Sequence, residues 1–176
     1  MGRPLTPTEM EETRLVFGDC LQVERIQVHE ALQWPNWIGR LGAWLAGQKP
    51  ASRNAVTINN HPCFPDHLQT QPAALAAGRL GDMGWLIHEL THCWQYQHQG
   101  MRYLIQAIWV QLRLGQAAYD YGGEQGIINA YAIGQSWMEF NPEQQGDIAR
   151  DYYLALRRGQ DVSAWEPYIR QMQALA

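Results

Sequence analysis

Residues 81–95 read GDMGWLIHELTHCWQ and contain the motif His88-Glu89-Leu90-Thr91-His92, which has the pattern HExxH. Residues four apart lie on one face of an α-helix, so the imidazoles of His88 and His92 can reach a single ion. Glu89 lies beside them and can take a proton from a water molecule bound to that ion. The motif therefore predicts a helical zinc site in which His88 and His92 are ligands and Glu89 is the catalytic base.

The residues around the motif predict that this helix is buried on one side. On a helical wheel, the side opposite the two histidines collects Met83, Leu86, Ile87, Leu90, Cys93 and Trp94. Gly81, Gly84 and Gln95 fall on the histidine side, where small residues are expected to leave room for a metal ion and a substrate. Asp82 is the predicted N-cap, and Gly100 is the predicted end of the helix.

Strand patterns come early in the chain and helical patterns come late. Before the motif, the predicted elements are a helix opened by a Thr8/Glu11 capping box and ending near Gly18, a half-buried strand over residues 23–28, a helix over residues 37–46, and a strand over residues 55–59 stopped by His61-Pro62. From the motif onward, the predicted elements are helices over residues 82–99, 103–119, 142–157 and 163–175, with a break at Gly122-Gly123. This order is typical of an α+β fold. Because no linker or repeat divides the 176 residues, one domain over residues 1–176 is expected.

A catalytic zinc usually has three protein ligands, and Glu143 is the favoured third ligand. It is the one glutamate after the motif with an aspartate four residues later, at Asp147. This pair resembles that of the thermolysin-like gluzincins. The resemblance implies that Glu143 binds zinc and that Asp147 hydrogen-bonds to a ligand histidine and orients it.

The alternative third ligand is His98. It lies ten residues after His88, where the metzincin pattern HExxHxxGxxH has its third histidine. Gln95 stands in place of the glycine at which that pattern turns sharply. If the helix continues through Gln95, His98 projects away from the other two histidines, so the sequence favours Glu143 over His98.

Composition and charge argue against several functional classes. Thirteen Lys and Arg face seventeen Asp and Glu, a net charge of −4, so the basic patch of a nucleic-acid-binding protein is not expected. Cys20, Cys63 and Cys93 form no CxxC pair and are predicted to be buried thiols. No apolar run reaches about 18 residues, so no membrane span is expected. The chain also shows no signal peptide, so it is expected to be cytoplasmic as synthesised and exported, if at all, by a signal-peptide-independent system.

Four segments together carry a wider resemblance: residues 11–19, 23–28, 55–59 and 88–95. They resemble compact bacterial zincin-like domains linked to Vgr/Rhs-type secretion and contractile-injection systems, over about two thirds of the chain. The resemblance implies a zincin-like fold with a small N-terminal sheet before a mostly helical part. It also implies a bacterial protein that acts as a secreted effector or beside one, with secretion-apparatus and immunity proteins among its partners.

The function predicted from these patterns is that of a zinc metallopeptidase acting on a peptide or protein substrate. Glu89 is expected to accept the proton of the zinc-bound water as that water attacks a peptide carbonyl, and to pass it to the leaving amine. The strand near residues 56–59 is expected to pair with an extended substrate. A tyrosine or a histidine is also expected to stabilise the oxyanion. Five tyrosines are available for this role, and the sequence does not choose among them: Tyr96, Tyr119, Tyr121, Tyr131 and Tyr152.

Two other functions stay open at this point. The first is a catalytically inert zincin-like binding or delivery module of a bacterial secretion system, in which some of the eight tryptophans form an interaction face. The second is a zinc hydrolase whose substrate is another bond, such as a cell-wall amide. Loss of the metal with an intact fold would favour the first, and cleavage of peptidoglycan would favour the second.

Overall fold

The structure, a computed structural model, describes residues 2–34, 54–100 and 120–175. The helices and strands of these residues are α1 (Pro7–Phe17), β1 (Val56–Ile58), β2 (His61–Cys63), α2 (Pro72–Ala76), α3 (Gly81–Gln99), α4 (Gly123–Ala132), α5 (Pro142–Arg157) and α6 (Glu166–Gln173). A small sheet followed by a mostly helical part confirms the predicted α+β class. The predicted helices over residues 37–46 and 103–119 lie outside the described residues.

The centre of the fold is α3, which makes its most extensive helix contact with α5. The six residues predicted to form the apolar side of α3 all have 0% exposure, which confirms that side: Met83, Leu86, Ile87, Leu90, Cys93 and Trp94. Gly84 lies against α5, because a Cβ atom at this position would lie 3.0 Å from Leu154 Cδ2. The expectation that Gly84 leaves room for a metal ion and a substrate is therefore wrong, since α5 fills that space.

Two of the three predicted N-caps differ from those in the structure. In α1 the capping box is formed by Thr6 and Glu9, two residues before the predicted pair, because Pro7 occupies the first helical position. In α3 the N-cap is Leu80, and the Asp82 carboxylate instead accepts a hydrogen bond from the Gln69 backbone N–H at 2.8 Å. Gly100 ends α3 as predicted.

The sheet is a hairpin of β1 and β2, paired antiparallel with Val56 opposite Cys63, Thr57 opposite Pro62 and Ile58 opposite His61. The strand predicted over residues 55–59 is confirmed. The prediction that His61-Pro62 stops this strand is wrong, because Asn59 takes a positive φ of 58° and turns the chain back into β2. Proline lacks a backbone N–H, but none is needed at position 62, because the backbone groups of this residue point away from β1 and toward His29. The Pro62 carbonyl accepts a hydrogen bond from the His29 N–H at 2.9 Å.

The half-buried strand predicted over residues 23–28 is wrong. Val23–Arg25 forms a 3-10 turn, in which the Ile26 N–H donates to the Val23 carbonyl at 3.1 Å. The apolar residues Val23 and Ile26 are three apart, which is the period of such a turn. Bridges of the kind found in β-sheets begin only at Val28, which pairs with Arg3. The next residue, His29, pairs with Cys63.

The remaining helices complete the core around α3. α2 and α4 were not predicted, and α4 begins where Gly122 adopts a positive φ of 82°. α5 begins at Pro142 with Asn141 as N-cap, as predicted, and α6 is shorter than predicted. All three cysteines are buried free thiols, as predicted. No helix within the described ranges has the length and apolar character to cross a membrane.

Candidate metal centre

The structure brings together the three residues predicted to bind the metal. His88 and His92 extend from α3, and Glu143 extends from the first turn of α5. Glu143 Oε2 lies 3.4 Å from His88 Nε2 and 3.6 Å from His92 Nε2. Ligands about 2.0–2.1 Å from a tetrahedral zinc ion lie about 3.3–3.4 Å apart, so these separations fit one ion. All three residues are buried, and one donor atom from each lies within 4.8 Å of the others.

The start of α5 fixes the position of Glu143. The Asn141 side chain accepts a hydrogen bond from the Gln144 N–H at 3.0 Å, and the Gln144 side chain accepts one from the Asn141 N–H at 3.2 Å. Pro142 has a φ suited to the first helical position. Glu143 therefore lies in the first turn, where the helix dipole stabilises a negative charge.

A hydrogen bond to Asp147 orients His88. The Nδ1–H group of His88 donates to Asp147 Oδ1 at 2.9 Å, which leaves Nε2 facing Glu143 and able to bind a metal ion. Arg150 Nη1 donates to the same Asp147 oxygen. The carboxylate thus receives two donors, and this contact to a histidine is the one that the resemblance to gluzincins implied for Asp147.

A neutral amide orients His92. The Nδ1–H group of His92 donates to Gln95 Oε1 at 2.8 Å. Gln95 Nε2 in turn donates to the Pro142 carbonyl at 2.9 Å and to Gln145 Oε1 at 2.8 Å, so it ties the histidine to the start of α5. Sequence reasoning placed Gln95 on the histidine side of the helix and noted its departure from the metzincin pattern, but it did not assign Gln95 a contact with His92. The signal for this contact is the spacing of three residues between His92 and Gln95, which lets the two side chains meet on one face of the helix.

Gly146 allows α5 to approach the ring of His88. A Cβ atom at this position would lie 2.7 Å from His88 Cε1 and 2.8 Å from Nδ1, closer than Cβ atoms come to other atoms. Any larger residue must displace the ring or the helix. Sequence reasoning missed Gly146, although it lies next to Asp147 in the middle of a helix, where glycine is unfavourable by about 1 kcal/mol.

The substitution Gly146→Ala is expected to weaken zinc binding about 10- to 100-fold, the range seen when groups that orient metal ligands are altered. The added methyl group displaces the His88 ring from Glu143. Competition with a coloured zinc chelator measures the effect. Gly81→Ala is the matched control, because a Cβ atom at Gly81 meets nothing within 4 Å. Equal zinc affinity in both variants would contradict the packing argument.

His98 lies outside the group formed by His88, His92 and Glu143, called the ligand group below. α3 continues without interruption through Gln95 to Gln99. The His98 ring stacks on Trp94 with the ring centroids 4.6 Å apart, and its Nδ1–H group donates to the Trp94 carbonyl at 2.8 Å. The described residues that can share one metal ion are His88, His92 and Glu143, so the geometry favours Glu143 over His98.

Glu89 is 4% exposed and directly follows His88 in the chain. Thr57 Oγ1 on β1 donates a hydrogen bond to Glu89 Oε2 at 2.7 Å. Sequence reasoning did not single out Thr57, since the two residues are 32 positions apart. The sheet therefore contacts directly the carboxylate that was predicted to be the catalytic base.

The contacts of the candidate tyrosines do not single out one of them for stabilising an oxyanion. Tyr121 donates to Asp151 Oδ2 at 2.6 Å and accepts from Trp165 Nε1 at 3.1 Å. Tyr131 is 59% exposed on α4, and Tyr119 lies outside the described residues.

The buried charges of the ligand group stabilise protonated histidines when no metal is bound. Burial opposes protonation of His88, but hydrogen bonds to Asp147 and Glu143 outweigh it and raise the pKa of His88 to about 10. Burial likewise opposes protonation of His92, and the Glu143 charge raises its pKa. Burial opposes ionisation of Glu143, but His92 and His88 lower its pKa. A metal ion must therefore displace protons from this group.

Zinc binding at neutral pH is accordingly expected to release protons. A histidine whose pKa is raised above neutrality is protonated in the metal-free protein, whereas zinc binds the neutral imidazole. Affinity should therefore rise with pH up to about 10 and fall as the medium becomes acidic. Calorimetric titration in two buffers of different ionisation enthalpy measures the release, and identical binding enthalpies in both buffers would contradict it.

Comparison with known proteins shows that the chain is similar to a bacterial secretion-system protein. No family model matches the chain. Over 165 residues, 93% of the chain, it is 29% identical to the type VI secretion system spike protein VgrG2b of Pseudomonas aeruginosa, and it spans only 14% of that protein's length. Among solved structures, the effector domain of Pseudomonas aeruginosa VgrG2b is similar with a TM-score of 0.54 and 24% identity, over 96% of this chain and 82% of that one. The predicted resemblance to Vgr-associated domains is thus confirmed at the level of the fold, which this chain shares with the VgrG2b effector domain.

Proposed function

We propose that this chain is an effector domain of a bacterial secretion system and that it hydrolyses peptide bonds at a zinc site formed by His88, His92 and Glu143. The convergence of these three side chains from two helices carries the proposal. The similarity to VgrG2b supports the secretion-system part of the proposal, including export without a signal peptide. Proteins of the secretion apparatus and immunity proteins are the partners expected for such a domain.

The energetic cost of the cluster supports a functional role. Five ionisable residues lie buried together: His88, Glu89, His92, Glu143 and Asp147. Burying a charged group costs several kcal/mol unless partners compensate for it, and replacing such pairs with apolar residues often stabilises a protein. Clusters of this kind are therefore more typical of functional sites than of a scaffold.

The residues of this chain have separable roles in the proposed reaction. A zinc ion held by His88, His92 and Glu143 would supply a Lewis acid and lower the pKa of bound water toward about 7. Glu89 accepts a proton from the attacking water and donates it to the leaving amine. Asp147 and Gln95 accept hydrogen bonds from the Nδ1–H groups of the two histidines and so keep each Nε2 directed at the site.

The geometry of the hairpin supports an extended peptide as the substrate. Thr57 lies opposite Pro62 in the hairpin, and the Pro62 carbonyl bonds to His29 on the other side of β2. Thr57 and Pro62 therefore form a pair whose backbones are not hydrogen-bonded to each other. The backbone N–H and C=O groups of Thr57 therefore point to the outer edge of β1. Among the described residues, β1 has β2 as its neighbour and no strand lies on this outer edge. An extended peptide can pair with such an edge.

A second candidate is an inert delivery module. The similarity of fold supports a role in a secretion system and gives no information about catalysis, so it is compatible with this candidate without any enzymatic activity. Incubation of the zinc-loaded chain with unfolded casein and, in parallel, with purified peptidoglycan separates the possibilities. Cleavage of casein supports the peptidase, and release of peptidoglycan fragments supports a cell-wall amidase. No cleavage of either by a protein with stoichiometric zinc would leave the delivery module.

A further inference from the structure

A buried threonine of the sheet contacts the carboxylate that we assign as the catalytic base. Thr57 lies in the middle of β1 and is 6% exposed. Its hydroxyl oxygen lies 2.7 Å from Glu89 Oε2 and 3.3 Å from the Glu89 carbonyl oxygen. A hydroxyl group has one proton to donate, and the nearer, charged carboxylate is the stronger acceptor. The hydroxyl therefore donates to the side chain of Glu89.

This contact defines which oxygen of Glu89 is available for proton transfer. Among the residues that the structure describes, Thr57 is the hydrogen-bond donor to the Glu89 carboxylate. With Oε2 held by the hydroxyl, Oε1 remains to accept a proton. A glutamate side chain that is free to rotate loses conformational entropy when it is ordered, so a fixed orientation lowers the free-energy cost of reaching the reactive position.

We propose that Thr57 is the positioning residue of the base, holding the Glu89 carboxylate in the orientation in which it accepts the proton. This inference rests on the proposed function and deepens it. The backbone of Thr57 also points to the outer edge of β1, where a peptide substrate would pair. The side chain of Thr57 thus orients the base, and its backbone forms part of the strand edge with which the substrate would pair.

The separation of the two roles makes a specific kinetic prediction. Thr57→Val removes the hydroxyl group but keeps the size, the β-branched shape and the backbone groups of the edge. Substrate pairing should therefore persist, so the KM value should change by less than about twofold while kcat falls about tenfold, or by about 1.4 kcal/mol of barrier. Thr57→Ser keeps a hydroxyl group and should restore most of the lost kcat. Zinc content should equal that of the wild type in both variants.

Thr70 offers a matched control. Its buried hydroxyl donates to the buried carboxylate of Glu9 at 2.7 Å, so Thr70→Val removes the same kind of contact away from the metal centre. This variant is expected to lower the melting temperature without lowering kcat. The substrate for all variants is a quenched fluorescent peptide that spans a site at which the wild type cuts unfolded casein. A crystal structure of zinc-loaded Thr57→Val gives a readout without activity, since Glu89 should leave its wild-type orientation.

The outcomes distinguish this inference from the proposed function. A wild-type protein that binds zinc but cuts no peptide overturns the proposed function, and with it the catalytic role of Thr57. An active wild type together with an equally active Thr57→Val variant overturns the inference alone. A Thr57→Ser variant no better than Thr57→Val, or an unchanged Glu89 orientation in Thr57→Val, also overturns it.

Discussion

The substitution Glu89→Gln is expected to leave zinc bound and to lower the rate of peptide hydrolysis by about 10²- to 10⁴-fold, the range attributed to general acid–base catalysis. Glutamine has the same shape as glutamate, and its side-chain oxygen can still accept the hydrogen bond from Thr57. It cannot take a proton from water at neutral pH. The proposed metal ligands His88 and His92 are unchanged, so the zinc content measured by elemental analysis should equal that of the wild type.

Glu124→Gln is a suitable control for this experiment, because Glu124 is an exposed residue of α4 outside the ligand group. It makes the same chemical change and should retain full activity. If Glu89→Gln cleaves the peptide as fast as the wild type, another group acts as the base, and the role assigned to Glu89 must be abandoned.

The substitution Glu143→Ala is expected to lower the affinity for zinc by more than about 100-fold, since altering groups that only orient a ligand already costs about 10- to 100-fold. It removes one of three donor atoms and also the negative charge that lies 3.4 Å from His88 Nε2. Chelator competition measures the affinity. Circular dichroism and thermal melting should show that the variant is folded.

His98→Ala is the comparison that decides between the two patterns considered for the third ligand. The His98 ring stacks on Trp94, so this variant should keep zinc with the affinity of the wild type. The reverse result, in which His98→Ala loses the metal and Glu143→Ala keeps it, would establish the metzincin-like arrangement in place of the one proposed.

Several features of the site could be predicted because they depend on residues close together in the chain. The helical spacing of His88 and His92 places both imidazoles on one face wherever the helix lies. The start of α5 could be predicted from Asn141 and Pro142, since an N-cap and a proline at the first helical position act locally. Local patterns failed at Val23–Arg25, where the apolar residues fit both the two-residue period of a strand and the three-residue period of a 3-10 turn. The sequence predicted the strand, and the structure has the turn.

The sequence by itself determined the spacing of the candidate site: two imidazoles and a carboxylate on one helix, and an acidic pair one turn apart on another. Only the tertiary structure decided what holds these groups in place. Gln95 meets Gln145 across 50 positions, and Thr57 meets Glu89 across 32. The glycine at position 146 matters because a histidine ring from α3 lies against it. Such contacts arise from the packing of helices and strands that are distant in sequence, and the spacing of residues within one helix or strand contains no information about them.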